Sequence, residues 1–478
     1  MKQKLKQLVR AGVHKWGLAR AAANRIPWNY WGYESQPRGM SLHGNAMGEL
    51  AREYGSPLHV LNVPRLLDTL EAFKRGGATL RPTVCCSVKT YPVPGMLALL
   101  FEHGAEAEII SEHELWMVRQ LDIPAGQIIY NGPAKSDASL DWAVGNGIKV
   151  IHINHREEME RVAAISQRLG TIARVGFRVT STGVAGQFGL PMDDATVQLI
   201  RDAMADPWIQ PVSLHGHRGY YMRSTGDVAS HVDPMLQFAA RLKREIGWTC
   251  ALLDVGGSLA VPTVQSLSSR AARLARTFGV PAEAPDPQQT LSPSAYSSWI
   301  CDRVATFCKA HGMDVPELVM EPGRALSADA QSLLSTVLEL RHEKPFSYAV
   351  TDVGTAVAPG ACDEYHQIGV AERSAVNITG SHQVYRIVGP ICHLGDVASL
   401  AWQLPPLTRG DRLLMMDSGA YFISDASSFS FGQPGVVAVF ADGRTELLRR
   451  TESSSDMVHR DVWRPRVHPT AASEYGVM

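Results

Sequence analysis

Four short stretches of this chain carry side chains that could do chemistry together. Lys89 closes Thr83-Val84-Cys85-Cys86-Ser87-Val88. His215 and His217 close Leu214-His215-Gly216-His217. Gly256 and Gly257 close Leu253-Asp254-Val255-Gly256-Gly257, and Glu321-Pro322-Gly323-Arg324 follows Leu318-Val319-Met320. Glycines let backbone N–H groups approach a phosphate closely, and an arginine grips it through a bidentate fork. A lysine near that phosphate can form an imine with an aldehyde cofactor. A carboxylate opposite can keep a pyridine nitrogen protonated, which makes the ring a strong electron sink. Singly, each signal is weak. A strand-end lysine is ordinarily a surface charge, a Gly-Gly is ordinarily a turn, and a lone histidine is ordinarily a satisfied core or surface residue. The ordered set is far more specific.

These residues share a position in the pattern: each sits where a short apolar run ends. Residues 57–61 read as a strand, followed by a helix through Leu66, Leu67, Leu70 and Phe73. Lys89 ends the second strand of this series. Further strands are predicted at 108–110, 127–130, 150–153, 174–179, 213–217, 251–255 and 318–320, and Ser111 with Glu114 predicts a capping box at one helix start. Repeated β-then-α units imply a parallel sheet with helices outside. About eight units suit a closed (β/α)8 barrel, in which functional residues cluster at the C-terminal ends of the strands. After Arg324 the texture turns to strand-like runs and polar turns at 385–388, 412–416 and 436–440, a mostly β second domain. The expected division is a basic N-terminal extension at 1–45, a TIM-type barrel at 46–322 and a C-terminal β domain at 323–478. Residues 262–294, rich in Ser, Ala and Pro, read as a loop insertion.

Composition narrows the class. The 478 residues are 45% hydrophobic, ample for a large core, with 46 basic against 47 acidic side chains. That balance argues against general nucleic-acid binding, which needs a basic face. Seven cysteines with no C-x-x-C pair read as free thiols in a reducing cytoplasm. No apolar run reaches about 18 residues, so no transmembrane helix is predicted. Lys2, Lys4, Lys6, Arg10, Lys15, Arg20 and Arg25 precede the first acid, and no continuous apolar stretch marks a signal peptide. A solvated basic arm is the first reading, a docking or membrane-surface helix the second.

Beyond single motifs, the chain resembles the alanine-racemase-fold (type III) decarboxylases that use pyridoxal phosphate (PLP), above all the diaminopimelate and ornithine decarboxylase group. The likeness runs over about residues 54–432. It includes Ser87-Val88-Lys89, residues 104–114, Phe188-Gly189-Leu190, His215-x-His217-x-Gly219 and Asp254-x-Gly256-Gly257. It continues through Glu321-Pro322-Gly323-Arg324, Gly389-Pro390-x-Cys392-x-x-Gly395-Asp396 and Asp417-Ser418-Gly419-Ala420-Tyr421. The resemblance implies that Lys89 carries the cofactor and that His217 stacks on its ring. It implies that Glu321 pairs with the pyridine nitrogen and that Gly256, Gly257, Gly323, Arg324 and Tyr421 bind the phosphate region. Cys392 is implied as the proton donor after CO2 leaves, delivered from the partner subunit of a homodimer with two shared sites. A thiol, with a reference pKa of about 8.5, can serve as that donor.

Departures from the family pattern concern the substrate more than the cofactor. An Arg-Pro-x-x-Tyr segment that grips substrate in diaminopimelate decarboxylases is Ala358-Pro359-Gly360-Ala361-Cys362 here, and the Glu-Ser expected after the catalytic cysteine is His393-Leu394. Losing the acceptor for a distal ammonium disfavours such substrates by several kcal/mol, so diaminopimelate and ornithine are both disfavoured. His393 either faces a carboxylate or hydroxyl on the substrate's far end or points away while another loop reads it; Glu364, Tyr365 and His366 lie nearby in sequence, and Tyr365 and Asp396 are further substrate-site candidates. Ser258 stands where the family has a third glycine, still offering its N–H and adding a hydroxyl. Tyr220 replaces a serine. Two alternatives stand beside the decarboxylase: a racemase or epimerase on the same fold, against which Glu321 and the Cys392 motif argue, and a non-catalytic PLP-binding regulator, against which the full set of cofactor residues argues.

Overall fold

The computed structural model describes residues 12, 25–36, 39–180, 187–219, 221–343, 346–372 and 383–462. Tyr220 and all but one residue of the basic arm before Arg25 lie outside them. Eight parallel strands form a closed barrel: β1 (Thr83–Ser87), β2 (Glu106–Ile109), β3 (Ile128–Tyr130), β4 (Val150–Ile153), β5 (Ala173–Thr180), β6 (Ile209–Gly216), β7 (Leu252–Asp254) and β8 (Glu317–Met320). Each pairs with its successor, and β8 closes on β1 through Val319 opposite Thr83 and Met320 opposite Val84. Strands such as Val150-Ile151-His152-Ile153 are buried along their whole length, as expected when one face looks into the barrel and the other onto helices. The (β/α)8 barrel with a following β domain is therefore the architecture expected from the pattern.

One strand falls elsewhere. Leu58–Asn62 was expected to open the barrel, but it pairs antiparallel with Gln331–Leu334 and parallel with Gly435–Val439, inside the second sheet. The helix after it, Val63–Lys74, capped by the Asn62 side chain accepting from the Arg65 N–H at 3.2 Å, does pack on the barrel, where Phe73 meets Tyr296 edge-on. A strand followed by an amphipathic helix has the same pattern whichever sheet receives the strand, so periodicity could not separate the two. Lys89 consequently follows the first barrel strand, not the second.

The second sheet is organised by the long strand Gln331–Glu343, which bonds Leu58–Asn62 and Arg412–Met415 near its start and Phe346–Thr351 near its end. A buried cluster including Trp31, Tyr33, Leu58, Tyr385 and Trp402 fills this domain, so the segment from Ile26 belongs to it as well. The 262–294 insertion is ordered around an amphipathic helix, Ser269–Phe278, capped by Ser268 and packed through Ala275 on Leu400 and Ala401 of the β domain.

Candidate active site

The C-terminal ends of the barrel strands meet at one rim, and the residues at and just after them surround a cavity. Lys89, His217, Gly256, Gly257, Ser258, Glu321, Gly323, Arg324 and Tyr421 all line it. Lys89 follows β1 in a short 3-10 turn. Its Nζ lies 3.2 Å from Oε2 of Glu108 at the end of β2, and that oxygen also accepts the Ser87 hydroxyl at 2.6 Å. Burial opposes the Lys89 ammonium, but Glu108 and Glu321 outweigh it and raise the pKa above its ordinary value. Lys89 therefore rests protonated and must pass that proton on before it can act as a nucleophile.

His217 is held by two neighbours. Its Nδ1 accepts the Gly257 N–H at 3.4 Å, and its Nε2 lies 3.3 Å from the Ser258 hydroxyl. Burial first, then the Lys89 charge, lowers its pKa to about 4, so the imidazole is neutral near pH 7 and offers an uncharged flat face for stacking. Ser258 adopts φ +79°, the left-handed region that favours glycine. That conformation explains why a glycine is common there, and it aims the hydroxyl at His217.

Below the rim lies a buried polar layer. Glu321 accepts a hydrogen bond from Asn131 at the end of β3, and its Oε2 is 3.6 Å from His215 Nε2. His215 stacks on His152 with ring centroids 4.6 Å apart, and His152 Nε2 lies 2.9 Å from the Ser213 hydroxyl. Asp254 accepts the Gly256 N–H at 2.9 Å. Burial and the nearby Glu321 charge push Asp254 well above the usual carboxylate range. Glu321 is held below its ordinary value despite burial, by the adjoining Asp254 carboxyl and then the Lys89 charge. Of this pair, Asp254 carries the proton and Glu321 the negative charge.

These residues fit a phosphate-bearing pyridine aldehyde. Gly256 has φ +63°, and a Cβ there would stand 2.7 Å from the Gly216 carbonyl oxygen. A Cβ on Gly257 would collide with the Glu321 carbonyl, and one on Gly323 with the Thr90 hydroxyl. The cradle thus presents bare backbone, as phosphate binding requires. The Thr90 hydroxyl beside Gly323 and both ring nitrogens of His215 are buried without a hydrogen-bond partner. Glu321 supplies the anionic oxygen a pyridinium needs.

Four candidates from the sequence lie elsewhere. Cys392 and His393 are exposed on the 389–396 loop and do not line the Lys89 cavity within one chain. Asp396 is buried, and its carboxylate accepts the N–H groups of Thr355 at 2.7 Å and Ile391 at 2.8 Å, so it shapes that loop instead of facing substrate. Tyr365 is buried in the β domain, edge-on to Trp402 at 5.4 Å, with its hydroxyl donating to Gln367. The predicted capping box is also half formed: Ser111 accepts the Glu114 N–H, but the Glu114 carboxylate reaches back to the Ile110 N–H at 2.7 Å. Sequence reasoning gave no role to Glu108, Asn131, His152 or Asp254. Glu108 and Asp254 lie at strand C-terminal ends and Asn131 just after one, so the rule that found Lys89 could have found them.

Comparison with known proteins adds three findings. A family model described as "Pyridoxal-dependent decarboxylase, pyridoxal binding domain" matches residues 66–328, more than half of the chain. Diaminopimelate decarboxylases from Methanothermobacter thermautotrophicus and Vibrio cholerae are 26% and 27% identical, covering 89% and 86% of this chain and 96% and 94% of theirs. A crystal structure of diaminopimelate decarboxylase from Methanocaldococcus jannaschii with L-lysine shares the fold with a TM-score of 0.77 at 22% identity, covering 91% of this chain and 98% of the other. A lysine/ornithine decarboxylase from Vibrio vulnificus with putrescine does so with 0.68 at 19%, covering 82% and 97%.

Proposed function

The chain belongs to the pyridoxal-dependent decarboxylase family, and from that premise we propose that its substrate is an amino acid, or amino-acid conjugate, that is neither diaminopimelate nor ornithine. The reaction is loss of the α-carboxylate as CO2, and PLP supplies the electron sink for the pair of electrons left behind. The observation that carries the substrate reading is, against diaminopimelate, the substituted gripping segment, and, against ornithine, His393 where an acid would meet a distal ammonium. Ala358 is fully buried and Cys362 packs beside Ala275, Leu400 and Ala401, so neither offers a cation or hydroxyl to a distal carboxylate. A biosynthetic or secondary-metabolite pathway suits such a departure from the relatives' substrate residues.

The chain's own residues divide the work. Lys89 would hold the cofactor, and Glu108, beside its Nζ, is placed to take up and return the proton of that ammonium. Glu321, anionic and braced by Asn131 with Asp254 adjoining it, would keep a pyridine nitrogen protonated, the state in which the ring is the stronger electron sink. His217, kept neutral, would offer its flat face to the ring without adding charge. Cys392 returns the proton to Cα. Because Cys392 lies outside the Lys89 cavity of its own chain, this role requires the loop of a second copy, which supports a homodimer with shared sites. All seven cysteines are free, which supports a cytoplasmic setting, and no helix among the described residues is long and apolar enough to cross a membrane.

Mass spectrometry of the PLP-loaded enzyme in D2O tests the reading. The panel is D- and L-amino acids with basic, acidic and neutral tails, meso-diaminopimelate and carboxylate-bearing conjugates. Loss of CO2 with one deuterium gained at Cα is expected from a tail other than those of diaminopimelate and ornithine. Efficient turnover of either of those two overturns the substrate reading, and exchange without CO2 loss moves the chemistry to racemisation.

A further inference from the structure

Arg324 sits on the cavity rim with its guanidinium carbon 5.4 Å from the Tyr221 ring centroid and 5.2 Å from that of Tyr421. Its Nη1 is 2.9 Å from Glu364 Oε2, and both side chains are mostly buried. The other Glu364 oxygen accepts the Tyr221 hydroxyl at 3.1 Å, and His366 Nε2 lies 3.7 Å from Oε2. Glu364 is thereby held at about 2: burial works to raise it, but His366, Arg324 and Tyr221 outweigh burial.

The backbone carrying Glu364 is fixed by the 262–294 insertion. Ser266 and Glu364 form an antiparallel bridge, Leu267 N–H donates to the Asp363 carbonyl at 2.8 Å, and Tyr365 N–H donates to the Gln265 carbonyl at 2.8 Å. Helix Ser269–Phe278 then anchors the insertion to the β domain through Ala275, and Arg276 lies 3.7 Å from Asp363. A segment that looks dispensable in sequence is the clamp that brings a carboxylate to the rim residue Arg324.

We propose that Glu364, clamped by residues 265–267, is a positioning residue that neutralises Arg324 and so makes the rim reject amino acids whose side chain ends in a carboxylate. This rests on the decarboxylase reading of the same cavity. Arg324 has one positive charge, and Glu364 takes it up. With a phosphate in the glycine cradle as well, the rim is net negative, and a second carboxylate meets like charge in partly desolvated surroundings. Ala358 and Cys362 provide no replacement cation. Amide- and hydroxyl-ended tails carry no such penalty.

Glu364→Gln in the PLP-loaded holoenzyme tests this with matched tails, glutamate against glutamine and 2-aminoadipate against its amide, by CO2 release. The carboxylate-to-amide ratio of kcat/KM is expected to rise about tenfold or more, through KM rather than kcat, and Glu364→Asp is expected to restore the original ratio. Tyr221→Phe, which removes one hydrogen bond to Glu364, should move the ratio the same way by less, and it serves if Glu364→Gln does not fold. An unchanged ratio overturns the inference. So does a changed PLP affinity with a fixed ratio, which would make the pair a cofactor clamp only. Glutarate binding against its monoamide, followed by cofactor absorbance, reads the same ratio without turnover. The rim can then stand or fall independently of whether the substrate reading does.

Discussion

Asp254→Asn separates the two buried carboxylates under the cofactor site. In the fold Asp254 keeps its proton because burial and the Glu321 charge raise its pKa. A carboxylate whose folded pKa lies above its unfolded value lends its stability below the unfolded value, about 3.9, and loses it as pH rises toward the folded one. The loss is about 1.4 kcal/mol per pH unit for as long as the folded group stays protonated. Asparagine cannot ionise and can still accept the Gly256 N–H through Oδ1. Over the pH range in which Asp254 keeps its proton, the variant's unfolding free energy should therefore rise relative to the wild type's as pH increases from 5. Urea unfolding of the holoenzyme at pH 5, 6 and 7, followed by tryptophan fluorescence, measures it. Asp254→Ala removes the acceptor of the buried Gly256 N–H, at a cost of about 1–3 kcal/mol. If the pH curves of wild type and Asp254→Asn run parallel, Asp254 is ionised in the fold and the assignment of proton and charge is wrong.

Lys89→Ala should abolish both turnover and the absorbance of covalently held cofactor; retained covalent cofactor would place the reactive lysine elsewhere. Gly323→Ala should weaken PLP binding by tenfold or more, about 1.4 kcal/mol, because its Cβ runs into Thr90; an unchanged titration would remove Gly323 from the cradle. Mixing inactive Lys89→Ala and Cys392→Ala chains should restore about a quarter of wild-type activity if sites are shared across a two-fold dimer, whereas no recovery would confine each site to one chain. His217, lowered to about 4 from 6.5, lends stability fully above about 6.5 and loses it as pH falls toward 4. His217→Gln should therefore flatten the acid side of the unfolding profile, and an unchanged profile would deny the neutral imidazole.

Much of the site was legible because its residues occupy one repeating position. A β-then-α period places every strand's C-terminal end on the same rim, so Lys89, His217, Gly256, Glu321 and Gly323 could be grouped before any coordinates. Tyr421 came only through the family resemblance, since nothing local marks Asp417 to Tyr421 as facing a barrel. Cys392 and His393 show the limit: the family motif groups them with the site, but within one chain they are exposed on the 389–396 loop, outside the Lys89 cavity.

Sequence by itself determined the barrel and the second β domain and grouped Lys89, His217, Gly256, Glu321 and Gly323 on one rim, because hydrophobic period, strand length and glycine placement are local properties. Tertiary structure alone decided that Leu58–Asn62 joins the second sheet, since pairing partners hundreds of residues apart leave no mark in a five-residue apolar run. It alone decided which of Asp254 and Glu321 holds the proton, because that follows from how Lys89, His217, Asn131 and burial converge on one carboxylate. The clamp on Glu364 is of the same kind. Residues 265–267 and 363–365 are ordinary loop sequence until folding sets them side by side and turns an insertion into part of the rim.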